Sequence, residues 1–281
     1  MNICLFSAEE ISKPLPWNDE RAQHIIKVLH KKENDSFTAG IIEGQSGKAT
    51  ITKINEKESI EFSFENTGNG KPLYPLSMII GFPRPIQLKR LLRDIAGLGS
   101  GFVHLTGTEL GEKSYLQSTL VEKGAAYKML LDGTVQAGST HVPKLFMHKS
   151  LSECLDSCFD SFFEHGTTAN RSEENIPTFK IALDNVGAKC SLKDFIEQKL
   201  ATIPQLAEQQ TFTMNSNEQI VTPKFKAIAA IGSERGWTEK ERNLLESQGF
   251  TRCSMGTRIL RTESAATVAA SIILNYMGVL N

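Results

Sequence analysis

From residue 76 onward, short apolar runs alternate with stretches of helical periodicity, and few folds accept that order. Residues 76–81, 101–106, 144–147, 179–183 and 225–231 read as buried strands. Between the first two, residues 87–98 predict a helix with Leu88, Leu91, Leu92 and Ile95 on one side. Residues 116–136 predict a long helix weakened by Gly124 and Gly133, and residues 150–163 one that Ser150 can cap. Alternation of this kind predicts an α/β domain with a mostly parallel sheet. In such sheets ligands bind beyond the carboxyl ends of the strands, so the loops that follow strands are the places to search.

The first seventy residues differ. Residues 37–42, 48–54 and 59–64 are short, partly alternating and punctuated by Gly44, Gly47, Asn55 and Glu56, which predicts strands. One helix precedes them, starting at 17–20 with an apolar stripe of Ile25, Ile26, Val28 and Leu29. Together these predict a small barrel-like domain. Residues 66–72, Asn-Thr-Gly-Asn-Gly-Lys-Pro, read as a linker, so the expected domains are 1–70 and 74–281. Residues 165–177 and 205–223 are polar and read as inserts, the second as a loop or an added hairpin.

Composition narrows the function classes. The apolar fraction is 40%, the charged fraction 22% and the net charge −1, which argues against a protein held to nucleic acid by bulk charge. A local basic face stays open. The start of the chain has no basic segment and too short an apolar run for a signal peptide. No stretch is apolar enough to span a membrane, so a cytoplasmic protein is expected. The five cysteines are scattered, which is not a disulfide framework. Cys154 and Cys158 share a helical face and read as reduced core residues. Spacing places no further ligand near them, and no metal is predicted.

Two loops carry the chemistry. The strand at 225–231 runs into Gly232-Ser233-Glu234-Arg235-Gly236-Trp237, and a helix follows with Thr238 and Glu241 as a capping box. Such a loop brings backbone N–H groups close to a ligand; any tight strand-to-helix turn would look similar. The second loop, Gly256-Thr257-Arg258-Ile259-Leu260-Arg261-Thr262-Glu263, leads from Cys253-Ser254-Met255 into a helix of small residues at 264–271. The Ile-Leu pair can clamp an adenine ring, and the charged groups can orient a ligand or an RNA phosphate. A buried Arg–Glu pair fixing a helix start is the structural alternative.

Taken together, the loops resemble those of the RsmE family, bacterial 16S ribosomal RNA uracil-N3 methyltransferases of the SPOUT superfamily. The family's second loop reads Leu-Gly-x-Arg-Ile-Leu-Arg-Thr-Glu-Thr-Ala, and residues 255–265 match it except at Met255 and Ser264. Its first loop reads Gly-Pro-Glu-Gly-Gly; Gly232, Glu234 and Gly236 match, while Ser233 and Arg235 depart. The segment from His24 to His30 is similar to the family's His-x-x-x-Val-Leu-Arg, with His30 in place of the arginine.

The resemblance implies a PUA-like β-barrel for RNA binding, followed by a SPOUT-type α/β domain with a trefoil knot, in a homodimer. It implies a pocket for S-adenosylmethionine at Leu183, Ile231, Gly232, Gly236, Met255, Gly256, Ile259 and Leu260. Arg258 is the candidate for stabilising charge on the target base. Glu263 is expected to fix an arginine or cap the last helix, and Glu234 is the alternative base. Arg84, Arg93, Arg235, Arg261 and Lys27 are the candidate RNA contacts, on 16S ribosomal RNA or the small subunit. Residues 94–99 and 136–139 lack charges that the family usually carries there. Another RNA target, or a non-catalytic RNA-binding protein on the same fold, are the competing readings.

Overall fold

The computed structural model describes residues 2–117, 124–164, 176–203, 212–215 and 218–280. The chain forms two compact units. The first is Met1–Pro72 with Leu131–Val142; the second is Leu73–Leu130 with Pro143–Asn281. No shift in composition marks the stretch that rejoins the first unit.

The first unit holds β1 (Cys4–Phe6), β2 (Leu15–Pro16), α1 (Glu20–Gln23), a π-helical turn (His24–Val28), β3 (Ser36–Ile41), β4 (Ser46–Asn55) and β5 (Ser59–Gly68). The strands form one mixed sheet in the order β1-β3-β4-β5-β2, with only β1 and β3 parallel. Cys4, Leu15, Ile25, Phe37, Ile51 and Ile60 meet in one core. The expected helical stripe is only half present. Leu29 N–H bonds the His24 carbonyl five residues back, so the turn is wider than an α-helix. Ile25 stays buried, while Val28 and Leu29 turn out to solvent. The predicted linker is also partly strand, since Asn66 and Gly68 pair with Gly47 and Ser46.

The rejoining stretch is bonded into this unit. Glu43 N–H donates to the Thr140 carbonyl at 2.9 Å, and Thr140 Oγ1 donates to the Gly44 carbonyl at 2.7 Å. His141 lies between the Glu43 carboxylate, 3.4 Å from Nδ1, and the Asn69 carbonyl, 3.0 Å from Nε2. The hydrogen bond to Glu43 raises the His141 pKa above its ordinary value.

The second unit contains β6 (Tyr74–Gly81), α2 (Pro85–Gly97), β7 (Ser100–Thr106), a 3₁₀ turn (Lys113–Gln117), α3 (Ala125–Ala137), whose later residues pass into the first unit, and β8 (Lys144–His148). It continues through α4 (Leu151–Glu164), β9 (Thr178–Leu183), β10 (Cys190–Ser191) and α5 (Leu192–Ala201). A hairpin follows, made of β11 (Phe212–Asn215) and β12 (Glu218–Val221). The unit ends with β13 (Lys226–Ile231), α6 (Glu239–Ser247), β14 (Thr251–Ser254) and α7 (Thr262–Met277). Its parallel sheet runs β10-β14-β9-β13-β6-β7-β8.

Strands β6 and β13 are buried almost end to end, as expected where helices cover both faces of a parallel sheet. Ile79, Ile228 and Ala230 pack with Leu155, Leu245 and Trp237. After β14 the chain returns to lay α7 against α2, β6 and β13. Ala266, Ala269 and Ala270 are fully buried there, and their small size permits the close approach. One predicted helix is shorter than expected. Gly124 adopts φ +67°, and α3 begins only after it. Residues 118–123 and most of the insert at 165–177 lie outside the described residues, whereas the second insert contains the hairpin.

Candidate active site

The carboxyl ends of β9, β13 and β14 surround a cavity of about 660 Å³, within the range of small-molecule sites. Leu183 ends β9, Ile231 ends β13, and Cys253 lies in β14 as the register partner of Leu183. The loop after β13 and the loop before α7 complete the wall.

The first loop is held by close backbone packing. A Cβ on Gly81 would lie 2.4 Å from the Ser233 nitrogen, so β6 can pass the loop only with glycine there. The Gly236 N–H donates to the Ser233 carbonyl at 2.9 Å, closing a tight turn. Ser233, which departs from the family pattern, gains a bond: Thr108 Oγ1 donates to its Oγ at 2.9 Å. The expected capping box forms between Thr238 and Glu241. Buried Glu241 also accepts from Glu109 N–H at 2.9 Å, while Thr238 Oγ1 and Lys240 Nζ both reach the Glu109 carboxylate. The segment after β7 is thereby tied to the start of α6.

The second loop is more open. Ile259 is 88% exposed and Leu260 37%, so the apolar pair stands at the rim without protein cover. Arg258, Arg261 and Arg235 are exposed along the same cavity. Arg84 also lines it and pairs with Glu234 at 3.1 Å. Thr262 Oγ1 donates to the Gly232 carbonyl at 3.4 Å, joining the two loops.

Most predicted site residues therefore meet at one place. Leu183, Ile231, Gly232, Glu234, Gly236, Met255, Arg258 and Glu263 all line the cavity. Gly256 follows Met255 in the chain but does not line it. Arg93 is exposed on α2 away from the wall, and Lys27 is exposed on the π turn of the first unit. Glu263 departs from its expected role. It is buried in the first turn of α7, with no arginine partner among the described residues, and the helix has no side-chain cap. A carboxylate there is favoured by the helix dipole instead.

Sequence reasoning missed an ion pair in the wall. Arg242 Nε donates to Asp184 Oδ2 at 2.7 Å, with only 12% and 7% of the two side chains exposed. The Asp184 carboxylate raises the Arg242 pKa despite burial. Asp184 Oδ1 also accepts from Val186 N–H at 2.9 Å, which shapes the loop after β9. The partners are 58 positions apart, so no local motif announces them.

The fold also gives Cys154 neighbours that spacing did not. His104, His148 and Cys154 come together in the core. His104 Nδ1 and His148 Nε2 are 3.0 Å apart, and their ring planes lie within 16° of parallel. Ser157 Oγ lies 3.3 Å from His148 Nδ1 and donates to the Glu153 carbonyl. Burial lowers both histidine pKa values, His104 to about 3. Two neutral rings bonded edge to edge account for this geometry.

Residues 69–274 match the profile of the RNA methyltransferase domain family. The ribosomal RNA small subunit methyltransferase E of Treponema pallidum is 35% identical, over 98% of this chain and 91% of that protein. The chain is a member of the RsmE family. A second family protein, ribosomal RNA small subunit methyltransferase E 1 of Borreliella burgdorferi, is 31% identical over 97% of both chains. Among solved structures, the Neisseria gonorrhoeae methyltransferase E bound to S-adenosyl methionine aligns with a TM-score of 0.67 at 20% identity, covering 98% of this chain and 97% of that one. A probable rRNA-methyltransferase from Porphyromonas gingivalis aligns at 0.68 and 16%, over the whole of both chains. These structures share the family's fold along its full length.

Proposed function

We propose that the protein transfers a methyl group from S-adenosylmethionine to N3 of a uridine in 16S ribosomal RNA. The observation that carries this reading is the cavity at the ends of β9, β13 and β14. Both family loops converge on it, with apolar walls and a rim of arginines.

The residues present fit the cofactor. Leu183, Ile231, Met255 and Leu260 would hold its apolar parts, and the tight Gly232–Gly236 loop offers backbone donors. S-adenosylmethionine, when bound, supplies an electrophilic methyl group. Uracil N3 carries a proton and gains negative charge as it attacks, so a cation beside it lowers the barrier. Arg258 is the candidate: it lines the cavity and has no ion-pair partner among the described residues. Glu234 is the candidate proton acceptor, oriented by Arg84.

The PUA-like first unit is assigned to RNA binding, with Lys27 exposed on it. Arg84, Arg235 and Arg261 are assigned to RNA beside the cavity, and Arg93 to RNA along α2. The exposed Ile259 supports a homodimer in which a second copy covers the rim. The return of α7 across the sheet after β14 supports the trefoil knot. No metal enters the reaction, and the protein acts in the cytoplasm. None of the described helices is long and apolar enough to cross a membrane.

Mass mapping of 16S ribosomal RNA nucleosides from cells with and without the gene tests the reading. The expected result is loss of one 3-methyluridine, restored by the purified protein with S-adenosylmethionine. An unchanged nucleoside map would overturn it.

A further inference from the structure

Cys190 in β10 and Cys253 in β14 are direct register partners on adjacent parallel strands. Their sulfurs are 3.9 Å apart. Adjacent strands are spaced ~4.8 Å, inside the Cα separation of about 4.4–6.8 Å that a disulfide accepts. Of the five cysteines, Cys190 alone is not buried. Cys253 is fully buried from solvent, yet its atoms form part of the cavity wall. Cys190 also ends the segment after β9, whose Asp184, Asn185 and Val186 line the same cavity.

We propose that Cys190 and Cys253 form a reversible thiol–disulfide site that reshapes the cofactor cavity. With oxidised glutathione as the oxidant, the Cys190 thiolate attacks one glutathione sulfur and the first glutathione thiol leaves. The Cys253 sulfur then attacks Cys190 Sγ, and the second glutathione thiol leaves. Two protein thiols are oxidised to one disulfide, one glutathione disulfide is reduced to two thiols, and the protons balance. Exposure makes Cys190 the entry point. Burial raises the Cys253 thiol pKa well above its ordinary value, so the second step rests on geometry: its sulfur already lies 3.9 Å from Cys190 Sγ, and the attack is intramolecular.

Bond formation brings the two sulfurs from 3.9 Å to about 2.0 Å. It draws Cys253 Sγ toward β10 and fixes both ends of the segment after β9 in one position. The consequence for the cofactor rests on the function proposed above; the bond itself does not.

The full chain, incubated with oxidised glutathione, would be mapped by non-reducing peptide mass analysis. Its affinity for S-adenosylmethionine would be measured by calorimetry before oxidation, after it, and after dithiothreitol. The expected result is a Cys190–Cys253 linked peptide, with binding weakened roughly threefold or more and restored by reductant. Cys190→Ser should bind like the reduced protein and ignore the oxidant. No reaction, or a glutathione adduct that stays on Cys190, would overturn the disulfide. A linked peptide with unchanged affinity would overturn its effect on the cavity. If the reduced protein binds no S-adenosylmethionine, the proposed function fails, while the peptide map still decides the bond.

Discussion

Arg258 and Arg84 line the same cavity in different electrostatic states. Arg84 is engaged with Glu234, whereas Arg258 has no ion-pair partner among the described residues. A cation free to meet developing charge is worth more in the transition state than one already neutralised. Arg258→Ala should therefore lower the rate of methyl transfer by about a hundredfold, with S-adenosylmethionine affinity nearly unchanged. Single-turnover assays and calorimetry check the two halves separately, and an unaffected rate would remove Arg258 from its role. Gly81 acts at the same scale by what it lacks. In Gly81→Ala the new methyl would press on the Ser233 backbone nitrogen, and overpacking of this kind costs about 1–3 kcal/mol. Urea unfolding should show that loss, together with weaker binding of the cofactor.

At the scale of elements, the start of α6 joins helix capping to the site. Thr238 caps the helix and also bonds the Glu109 carboxylate. Thr238→Ala should cost about 1 kcal/mol by urea denaturation, and Thr238→Ser should recover most of it. The cap was legible in the sequence because Thr238 and Glu241 are three residues apart. The strands β6, β7, β9 and β13 and the two glycine loops were legible for the same local reason. Contacts across the chain were not. Glu109 meets Glu241 132 positions away, and Asp184 meets Arg242 across 58. The turn at Ile25 misled because apolar spacing cannot distinguish an α-helix from the wider π turn that exposes Val28 and Leu29.

Across the whole molecule, two histidines give the units opposite responses to pH. In the first unit His141 has a raised pKa, held by Glu43. Its stabilisation is full below about pH 6.5 and fades as pH rises through the folded value. In the second unit His104 is held neutral, with its pKa lowered to about 3. Its stabilisation is full above about pH 6.5 and fades as pH falls toward 3. Each unit has one tryptophan, Trp17 or Trp237, so the variants Trp237→Phe and Trp17→Phe report on the units separately by fluorescence. Urea midpoints should fall on the alkaline side for the first unit and on the acid side for the second. His141→Asn should remove the alkaline fall alone.

The segment Leu131–Val142 imposes an order on synthesis. Domains of a growing chain tend to fold as units from the N-terminus. By residue 72 all five strands of the first sheet have been made, yet the chain that bonds Glu43, Gly44 and Asn69 comes only with Thr140 and His141. While the ribosome makes β6, α2 and β7, the first sheet therefore waits with those groups open. Those three elements wait in turn for β9, β13 and β14. Neither half of a nascent chain can be finished before the other has begun.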